Sequence, residues 1–101
     1  MIARIWTGRT PADQAEAYLE VLKRTGERDY RATPGNRGVY ILRQVEGGEA
    51  RFMTLTLWDS MEAVKAFAGE DPTRARYYPD DDAYLIERTP AVEHYEVCVG
   101  G

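Results

Sequence analysis

The amino-acid sequence predicts an α+β domain of the ferredoxin-like type, in which a four-stranded antiparallel sheet carries two helices on one face. Apolar side chains alternate with a period of two in four segments and recur at helical spacing in two others. These segments follow one another in the order βαββαβ, which is the order of the split βαβ arrangement. The whole chain, residues 1–101, is expected to be this one domain.

The first strand and helix occupy the start of the chain. Residues 2–8 are largely apolar at both sets of alternating positions, which predicts a strand that is buried on both faces. Thr10 and Pro11 are typical of a helix start, because threonine can cap the first turn and proline is tolerated there. This helix should end at Gly26. Residues 27–38 have no sustained period and are predicted to form a loop.

The middle of the chain predicts a hairpin that leads into the second helix. Residues 39–45 and 51–58 alternate as strands, and residues 46–49 contain two glycines that suit a tight two-residue turn. Directly after Trp58 the period changes from two to that of a helix. Asp59 and Glu62 are expected to form an acidic capping box at its start.

The last third of the chain is less regular. Gly69 should stop the second helix, and residues 73–78 are predicted to form a short helical turn. The acidic run 80–82 is interpreted as a solvated turn or helix start, because calcium loops need ligands at alternate residues. Residues 83–90 are expected to form an irregular return, and residues 91–99 the last strand.

Composition excludes several classes of function. The formal charge is −4, from 13 basic and 17 acidic residues, and no basic run predicts binding to nucleic acid or to an anionic membrane. No apolar stretch approaches the roughly 20 residues that span a bilayer. We therefore expect a cytoplasmic protein. Its single cysteine, Cys98, has no partner for a disulfide, and no metal site is predicted.

Three stretches carry a resemblance to a known family. They are the opening MIARIW strand, the strand-to-helix junction TLWDSMEAVKAF and the closing HYEV strand. Together they resemble the antibiotic biosynthesis monooxygenase superfamily of dimeric α+β barrels. The resemblance implies a homodimer in which two sheets form a barrel, with a small pocket in each protomer between its helices and its sheet. A second subunit would also cover the remaining apolar face of the sheet.

The haem-degrading members of this superfamily place three residue types in their pocket. They use an asparagine on the first strand, a tryptophan in the second helix and a histidine just beyond it. Superposing the junction at Trp58 places Thr7, Phe67 and Tyr77 at those positions, so none of the three residue types is retained. Tyrosine can also ligate haem iron, so Tyr77 keeps haem binding open as an alternative.

The cofactor-free oxygenases of the superfamily require less of the protein. There the deprotonated substrate itself activates oxygen, so the site must bind a planar ring, promote deprotonation and exclude water. His94 is the only histidine and the natural base, and Tyr78 is a second candidate for catalysis. The predicted ligand-binding residues are Trp6, Thr7, Trp58, Phe67 and Tyr77.

The function we predict is cofactor-independent oxygenation of a small planar aromatic, with no bound cofactor. A non-catalytic dimeric ligand-binding domain is the alternative, and haem binding or degradation is a third. A sizeable cavity that reaches His94 or Tyr78 favours chemistry, whereas close packing there favours a structural role. Arg4 is unusual among apolar neighbours and is expected to pair with Glu93 or Glu96, either across the sheet or across a dimer interface.

Overall fold

The elements follow the predicted order. The computed structural model describes residues 1–87, 89 and 91–100, so Arg88 and Pro90 of the return predicted at 83–90 lie outside it, as does Gly101. The elements are β1 (Ile2–Pro11), α1 (Ala15–Leu22), a π-helical turn (Lys23–Glu27), α2 (Arg28–Ala32), β2 (Asn36–Glu46), β3 (Glu49–Trp58), α3 (Met61–Ala68) and β4 (Glu93–Glu96). Short 3₁₀ turns lie at Ala12–Gln14 and Pro79–Ala83.

The four strands form an antiparallel sheet in the order β2-β3-β1-β4. β1 pairs with β3 along its whole length, beginning with Ile2 opposite Trp58. β4 pairs with the first half of β1, where Arg4 lies opposite His94. The predicted glycine turn joins β2 to β3, and Gly47 there has a φ of +63°. The predicted α+β, ferredoxin-like class is therefore confirmed.

The helices cover one face of the sheet, which we call the helix face. α1 packs Tyr18 and Leu22 against Trp6 and Phe52, and α3 packs against a second apolar cluster. The second cluster joins α2, β3 and α3 through four buried residues, Tyr30, Trp58, Val64 and Phe67. The core thus has two halves, one under α1 and one under α3, and the centre of the sheet lies between them.

The other face of the sheet, the open face, is also rich in apolar side chains. The pairing register places on it a set of half-buried and exposed residues from all four strands. They include Ile5, Tyr40, Leu42, Met53, Leu55, Leu57 and Tyr95. Tyr40 is 55% exposed and Leu42, the next residue of β2 on this face, is 47% exposed. An exposed apolar patch of this kind is unusual for a monomer.

Two predictions about α1 are wrong. β1 continues to Pro11, because Thr10 pairs with Ala50 of β3 and is fully buried. The Thr10 hydroxyl donates to the backbone oxygen of Pro11 and does not cap α1. The helical path also does not end at Gly26, because the π-helical turn carries it into α2. Residues 28–32 of the predicted loop are therefore helical.

The start of α3 also differs from the prediction, whereas its end does not. Ser60 caps the helix, since its Oγ accepts from the backbone N–H of Ala63 at 3.2 Å. Asp59 instead accepts from Arg37 at 2.5 Å, so the acidic capping box is not formed. Gly69 ends α3 as predicted, with a φ of +95°.

The irregular part of the chain is longer than predicted. No helical turn forms at residues 73–78, and the 3₁₀ turn lies further on, at Pro79–Ala83. The acidic run lies at the start of this turn, directly after Pro79, which agrees with its interpretation as a helix start. The interpretation as a solvated run is wrong for Asp81, which is buried. The last strand is restricted to Glu93–Glu96, so only the centre of the segment predicted at 91–99 pairs with β1.

Candidate functional site

A small cavity lies on the helix face where the two halves of the core meet. It is bounded by β1 and β3, by α1, the π-helical turn and α2, and by residues 75–78, which we call the covering segment. Its volume is about 20 Å³, enough for a water molecule but not for an aromatic ring. Its walls are aromatic and polar side chains that hold one another in place. We refer to it as the helix-side cavity.

Trp6 and Tyr77 close one end of this cavity. The indole Nε1 of Trp6 donates to Tyr77 Oη at 3.1 Å, and the two rings meet edge to face. Tyr77 Oη in turn donates to the backbone oxygen of Thr89 at 2.5 Å. Gly8 provides the space for the indole, because a Cβ atom at that position would overlap the Trp6 ring. The two predicted ligand-binding residues therefore contact each other.

Phe67 lies at the centre of an aromatic stack behind the cavity. Its ring centroid is 4.5 Å from that of Tyr30 and 5.8 Å from that of Trp58. Trp58 is fully buried, and its Nε1 donates to Thr56 Oγ1 at 2.8 Å. The Tyr30 hydroxyl lies 3.3 Å from Thr54 Oγ1. Trp58 therefore forms part of the core, whereas Tyr30 also lines the cavity.

A hydrogen bond between Tyr78 and Asp29 ties the covering segment to α2. Tyr78 Oη donates to Asp29 Oδ2 at 2.6 Å, and Arg76 donates to the same oxygen at 3.3 Å. The Arg76 guanidinium also lies over two rings, 4.8 Å from the Phe67 centroid and 5.1 Å from that of Tyr78. Arg76 thus holds the covering segment against the aromatic stack.

The Tyr78–Asp29 pair is polarised. The hydrogen bond from Tyr78 is the main cause that lowers the pKa of Asp29, and Arg28 and Arg76 act in the same direction. Burial, and then the bond to Asp29, raises the pKa of Tyr78. At neutral pH the carboxylate is therefore ionised and the phenol protonated.

Arg4 is 2% exposed and lies on β1 beside the same cavity. One guanidinium nitrogen donates to the backbone oxygen of Arg74 at 3.3 Å, and the guanidinium carbon lies 5.5 Å from the Phe67 centroid. Its Nε has no hydrogen-bond partner, and none of the described carboxylates forms an ion pair with it. The predicted pairing with Glu93 or Glu96 across the sheet is therefore wrong within the described residues, whereas pairing across a dimer interface stays a prediction. Burial lowers the pKa of Arg4.

His94 lies opposite Arg4 on β4, on the same face of the sheet. It is half-buried, and its Nε2 has no hydrogen-bond partner among the described residues. Burial lowers the pKa of His94, and the nearby cation of Arg4 lowers it further. The imidazole is therefore neutral at pH 7. None of the described hydrogen bonds joins the two predicted catalytic residues, His94 and Tyr78, to each other.

Thr7 is separated from the other predicted site residues. It is exposed on the open face, opposite Met53, whereas Trp6 points to the helix face. A cavity of about 460 Å³ lies beside Thr7, between β1, β2 and β3. None of the other predicted catalytic or ligand-binding residues lines that cavity. Its position on an uncovered sheet face suits an interface better than a closed reaction site.

Asp81 is the buried residue of the acidic run. Asp81 is 3% exposed and accepts from Tyr18 Oη at 3.0 Å and from the backbone N–H of Tyr78 at 2.7 Å. Burial, followed by the charge of Asp81, raises the pKa of Tyr18. Among residues 1–87, 89 and 91–100, no group of three or more histidine, cysteine, aspartate or glutamate side chains could hold a metal ion.

Asp29 and Arg76 are site residues that the sequence interpretation missed. The sequence predicts a loop at residues 27–38 and a helical turn at residues 73–78. Neither prediction brings Asp29 and Arg76 to the cavity. One signal was present for α2, since Glu27 and Arg31 have the spacing of a helical ion pair and form one at 3.0 Å. The sequence carried no comparable signal for Arg76, because its position depends on how an irregular segment folds back.

Comparison with known proteins gives one family and several related structures. Residues 1–75 match the profile of the antibiotic biosynthesis monooxygenase family. The haem degrader MhuD of Mycobacterium tuberculosis, solved with two haems in its active site, is 25% identical, with a TM-score of 0.57. The alignment covers 100% of this chain and 99% of MhuD.

Two further structures support the fold. A Nitrosomonas europaea protein assigned to the antibiotic biosynthesis monooxygenases is 18% identical, with a TM-score of 0.69 over 98% of this chain and 100% of that one. A Bacillus cereus protein with the same assignment is 19% identical, with a TM-score of 0.65 over 99% of this chain and 93% of that one. Among proteins with curated functions, no sequence match was found. No helix in the described part of the chain is long and apolar enough to cross a membrane.

Proposed function

Because the chain belongs to the antibiotic biosynthesis monooxygenase family, we propose that it is a cofactor-independent oxygenase of a small planar aromatic substrate. The covering segment moves outward to admit the substrate to the helix-side cavity and then closes over it, which restores the hydrogen bond between Tyr78 and Asp29. The observation that carries this proposal is the polarised Tyr78–Asp29 pair beside an aromatic stack. In the proposal, this pair supplies a proton acceptor beside the bound ring, and the closed covering segment keeps water away from it.

Proton removal is the step that this pair supports. The substrate loses a proton from an acidic O–H or C–H group to Tyr78 Oη, while the phenol passes its own proton to Asp29. The 2.6 Å separation of the two oxygens is within the range required for such a transfer. Asp29 is thus the terminal base, and Tyr78 contacts the substrate.

Oxygen insertion then needs no group beyond the substrate and dioxygen. The substrate anion donates electrons to dioxygen and forms a carbon–oxygen bond. One oxygen atom remains as a carbonyl, and the other leaves as water with two hydrogens from the substrate. Arg76 lies over Phe67 and Tyr78 in the ligand-free chain, and its charge stabilises the anion once the covering segment has closed over the bound substrate.

His94 is retained in the proposal as a second candidate base. Its pKa is lowered, so the neutral form that can accept a proton predominates at pH 7. None of the described hydrogen bonds, however, joins His94 to Tyr78 or Asp29. We assign the first proton transfer to Tyr78 and Asp29 because their hydrogen bond is already formed.

The residues present do not fit a haem group, although the likeness to MhuD raises that possibility. Haem would need an axial ligand, and Tyr77 Oη is engaged by both Trp6 and Thr89. Thr7 faces the other side of the sheet. We therefore expect titration of the wild-type chain with haemin to give no saturable Soret shift. A saturable shift that Tyr77→Phe abolishes would restore the haem alternative.

A non-catalytic ligand-binding domain is the second candidate. It is favoured by the close packing around Tyr78, where the cavity holds only about 20 Å³. Under this alternative the same residues bind an aromatic molecule without transferring a proton. The two candidates differ in whether bound ligand consumes oxygen.

The proposal includes a homodimer that pairs the open faces of two sheets. Support comes from the exposed Tyr40, Leu42 and Tyr95, which a second copy would cover. The cavity of about 460 Å³ also lies on this face and would become part of the interface. A domain of this size gains stability from such additional burial.

Oxygen uptake tests the proposed reaction. Protein freed of metal with a chelator is mixed with anthrone, and oxygen consumption and anthraquinone formation are followed against a protein-free blank. We expect turnover with the wild-type chain and with Asp59→Asn, which alters an exposed carboxylate bound to Arg37. Asp29→Asn should reduce the rate by about 100-fold. Binding of anthrone without oxygen uptake would favour the binding domain.

A further inference from the structure

Arg4 is a buried cation without a compensating anion. It is 2% exposed, its Nε makes no hydrogen bond, and no described carboxylate pairs with it. A buried charge is normally paired, because removing it from water without a counter-ion is costly. Its hydrogen bonds, to the backbone oxygen of Arg74 and to the Tyr30 side chain, satisfy only part of the guanidinium and leave Nε without a partner.

The surroundings of Arg4 add polar groups and a second positive charge. Thr25, Tyr30 and Thr54 bring hydroxyl groups to the helix-side cavity, and Arg76 lies at its rim over the Phe67 ring. Thr25 belongs to the π-helical turn, a geometry that is frequent at functional sites. The acidic side chain that lines the cavity is Asp81, which accepts from Tyr18 Oη and from the backbone N–H of Tyr78. Asp29 is bound by Tyr78 and Arg76. Neither carboxylate forms a described ion pair with Arg4.

The walls also select for the shape of a ligand. Arg76 now covers the ring face of Phe67 at 4.8 Å, a position that a planar ligand ring would take once the covering segment moves. An anionic group on that ring would then point toward β1, where Arg4 lies 5.5 Å from the same Phe67 centroid. Carboxylate matches guanidinium in geometry, because both are planar and can form two parallel hydrogen bonds.

From this geometry we infer that the ligand of the helix-side cavity is an aromatic carboxylate, whose carboxylate pairs with Arg4 while its ring packs on Phe67. This names the ligand class of the site in the proposed function. It rests on that cavity being the ligand site and is independent of whether oxygenation follows.

Calorimetric titration of the intact protein with benzoate and with benzamide tests the inference. The two probes have almost the same shape and differ in charge. We expect benzoate to bind the wild-type chain about 10-fold to 100-fold more tightly than benzamide, the ratio that a charge-assisted hydrogen bond supplies. Equal affinities, or no binding of benzoate, would overturn the inference. Inorganic phosphate binding as tightly as benzoate would also overturn it, since the site would then be selective for anions and not for aromatic acids.

A pair of variants assigns the selectivity to one residue. Arg4→Met should lower the affinity for benzoate to that for benzamide. Arg37→Met, which removes an exposed arginine paired with Asp59, should leave both affinities unchanged. Selectivity that survives in a folded Arg4→Met protein would contradict the inference. If that variant does not fold, the comparison of the two probes on the wild-type chain still decides.

The same titrations separate this inference from the proposed reaction. Selective benzoate binding through Arg4 in a protein that consumes no oxygen with anthrone or with an anthrone that carries a ring carboxylate would support the inference and refute the oxygenase. Turnover of anthrone by a protein that binds benzoate no more tightly than benzamide would support the oxygenase and refute the inference.

Discussion

Arg4 and His94 lie directly opposite each other on β1 and β4, and each has a buried nitrogen without a hydrogen-bond partner in the described structure. Two such groups on adjacent strands reduce the stability of the folded chain, since a buried donor or acceptor without a partner is costly. Proteins keep such strained arrangements where function requires them. The two unpartnered nitrogens therefore support the proposal that a ligand binds at this edge of the helix-side cavity.

The first prediction concerns the titration of His94. Its pKa in the folded chain should lie below the ordinary value of 6.5, because burial and then Arg4 disfavour the cation. Arg4→Met should raise this pKa while leaving it below 6.5, since burial remains. Two-dimensional NMR of the imidazole measures both values, and a folded-state pKa above 6.5 would contradict the geometry.

The same shift sets a dependence of stability on pH. The unfolded chain binds a proton at His94 more readily than the folded chain, so the stability that this residue contributes is present above pH 6.5. It is lost as the pH falls from 6.5 through the lowered folded-state pKa. His94→Gln should remove this part of the pH dependence, as measured by urea unfolding at several pH values.

The second prediction is that Arg4→Met stabilises the ligand-free protein. Methionine fills similar space without a buried unpaired charge, so we expect a gain of about 1 kcal/mol in the free energy of unfolding. For a domain of this size the melting temperature should rise by about 4–8 °C. Arg37→Met, at an exposed ion pair, should change stability by less than about 0.5 kcal/mol. A strong loss of stability in Arg4→Met would mean that the guanidinium is satisfied in solution.

The third prediction concerns Tyr78. Tyr78→Phe removes the hydroxyl that donates to Asp29 and should lower kcat for anthrone by about 100-fold. The lost bond should also reduce the free energy of unfolding by about 1 kcal/mol. Tyr40→Phe, on the open face, removes a hydroxyl far from this pair and is the matched control. Equal kcat values for the two variants would exclude Tyr78 from proton transfer.

The fourth prediction concerns the open face. Leu42→Glu should convert a dimer into a species of about 11.5 kDa in sedimentation experiments, because it places a charge within the apolar interface. Val45→Glu makes the same change on the same strand, but Val45 lies opposite Ala50 and belongs to the other face. It should leave the dimer intact. A wild-type chain that sediments as a monomer at micromolar concentration would refute the proposed interface.

The sheet was predictable because apolar and polar residues alternate along its strands, and successive side chains of a strand lie on opposite faces. On β3, residues 50, 52, 54, 56 and 58 are all buried, and the residues between them are not, as the period of two requires. The hairpin and the end of α3 were equally predictable, because glycine is the residue that adopts positive φ values most readily. Gly47 and Gly69 do so in the structure. Local patterns of this kind depend on a few neighbouring residues.

The site was only partly predictable, because it is built by contacts that no local pattern encodes. Trp6 and Tyr77 were expected in the pocket and do meet there, yet their mutual hydrogen bond could not be foreseen. Thr7 is one residue from Trp6, but the alternation of a strand places it on the opposite face. Asp29 and Arg76 belong to segments for which the sequence predicts a loop and a helical turn. They contact each other only because the covering segment packs against α2.

The fate of oxygen in the product tests the proposed reaction most directly. Metal-free protein is supplied with anthrone under ¹⁸O₂, and the anthraquinone is analysed by mass spectrometry. We predict that one labelled oxygen atom enters each product molecule, at a rate well above the protein-free reaction, and that Asp29→Asn loses this enhancement. Product that forms no faster than in the protein-free control, or that carries no label, would contradict cofactor-independent oxygenation and leave the ligand-binding domain as the function of this chain.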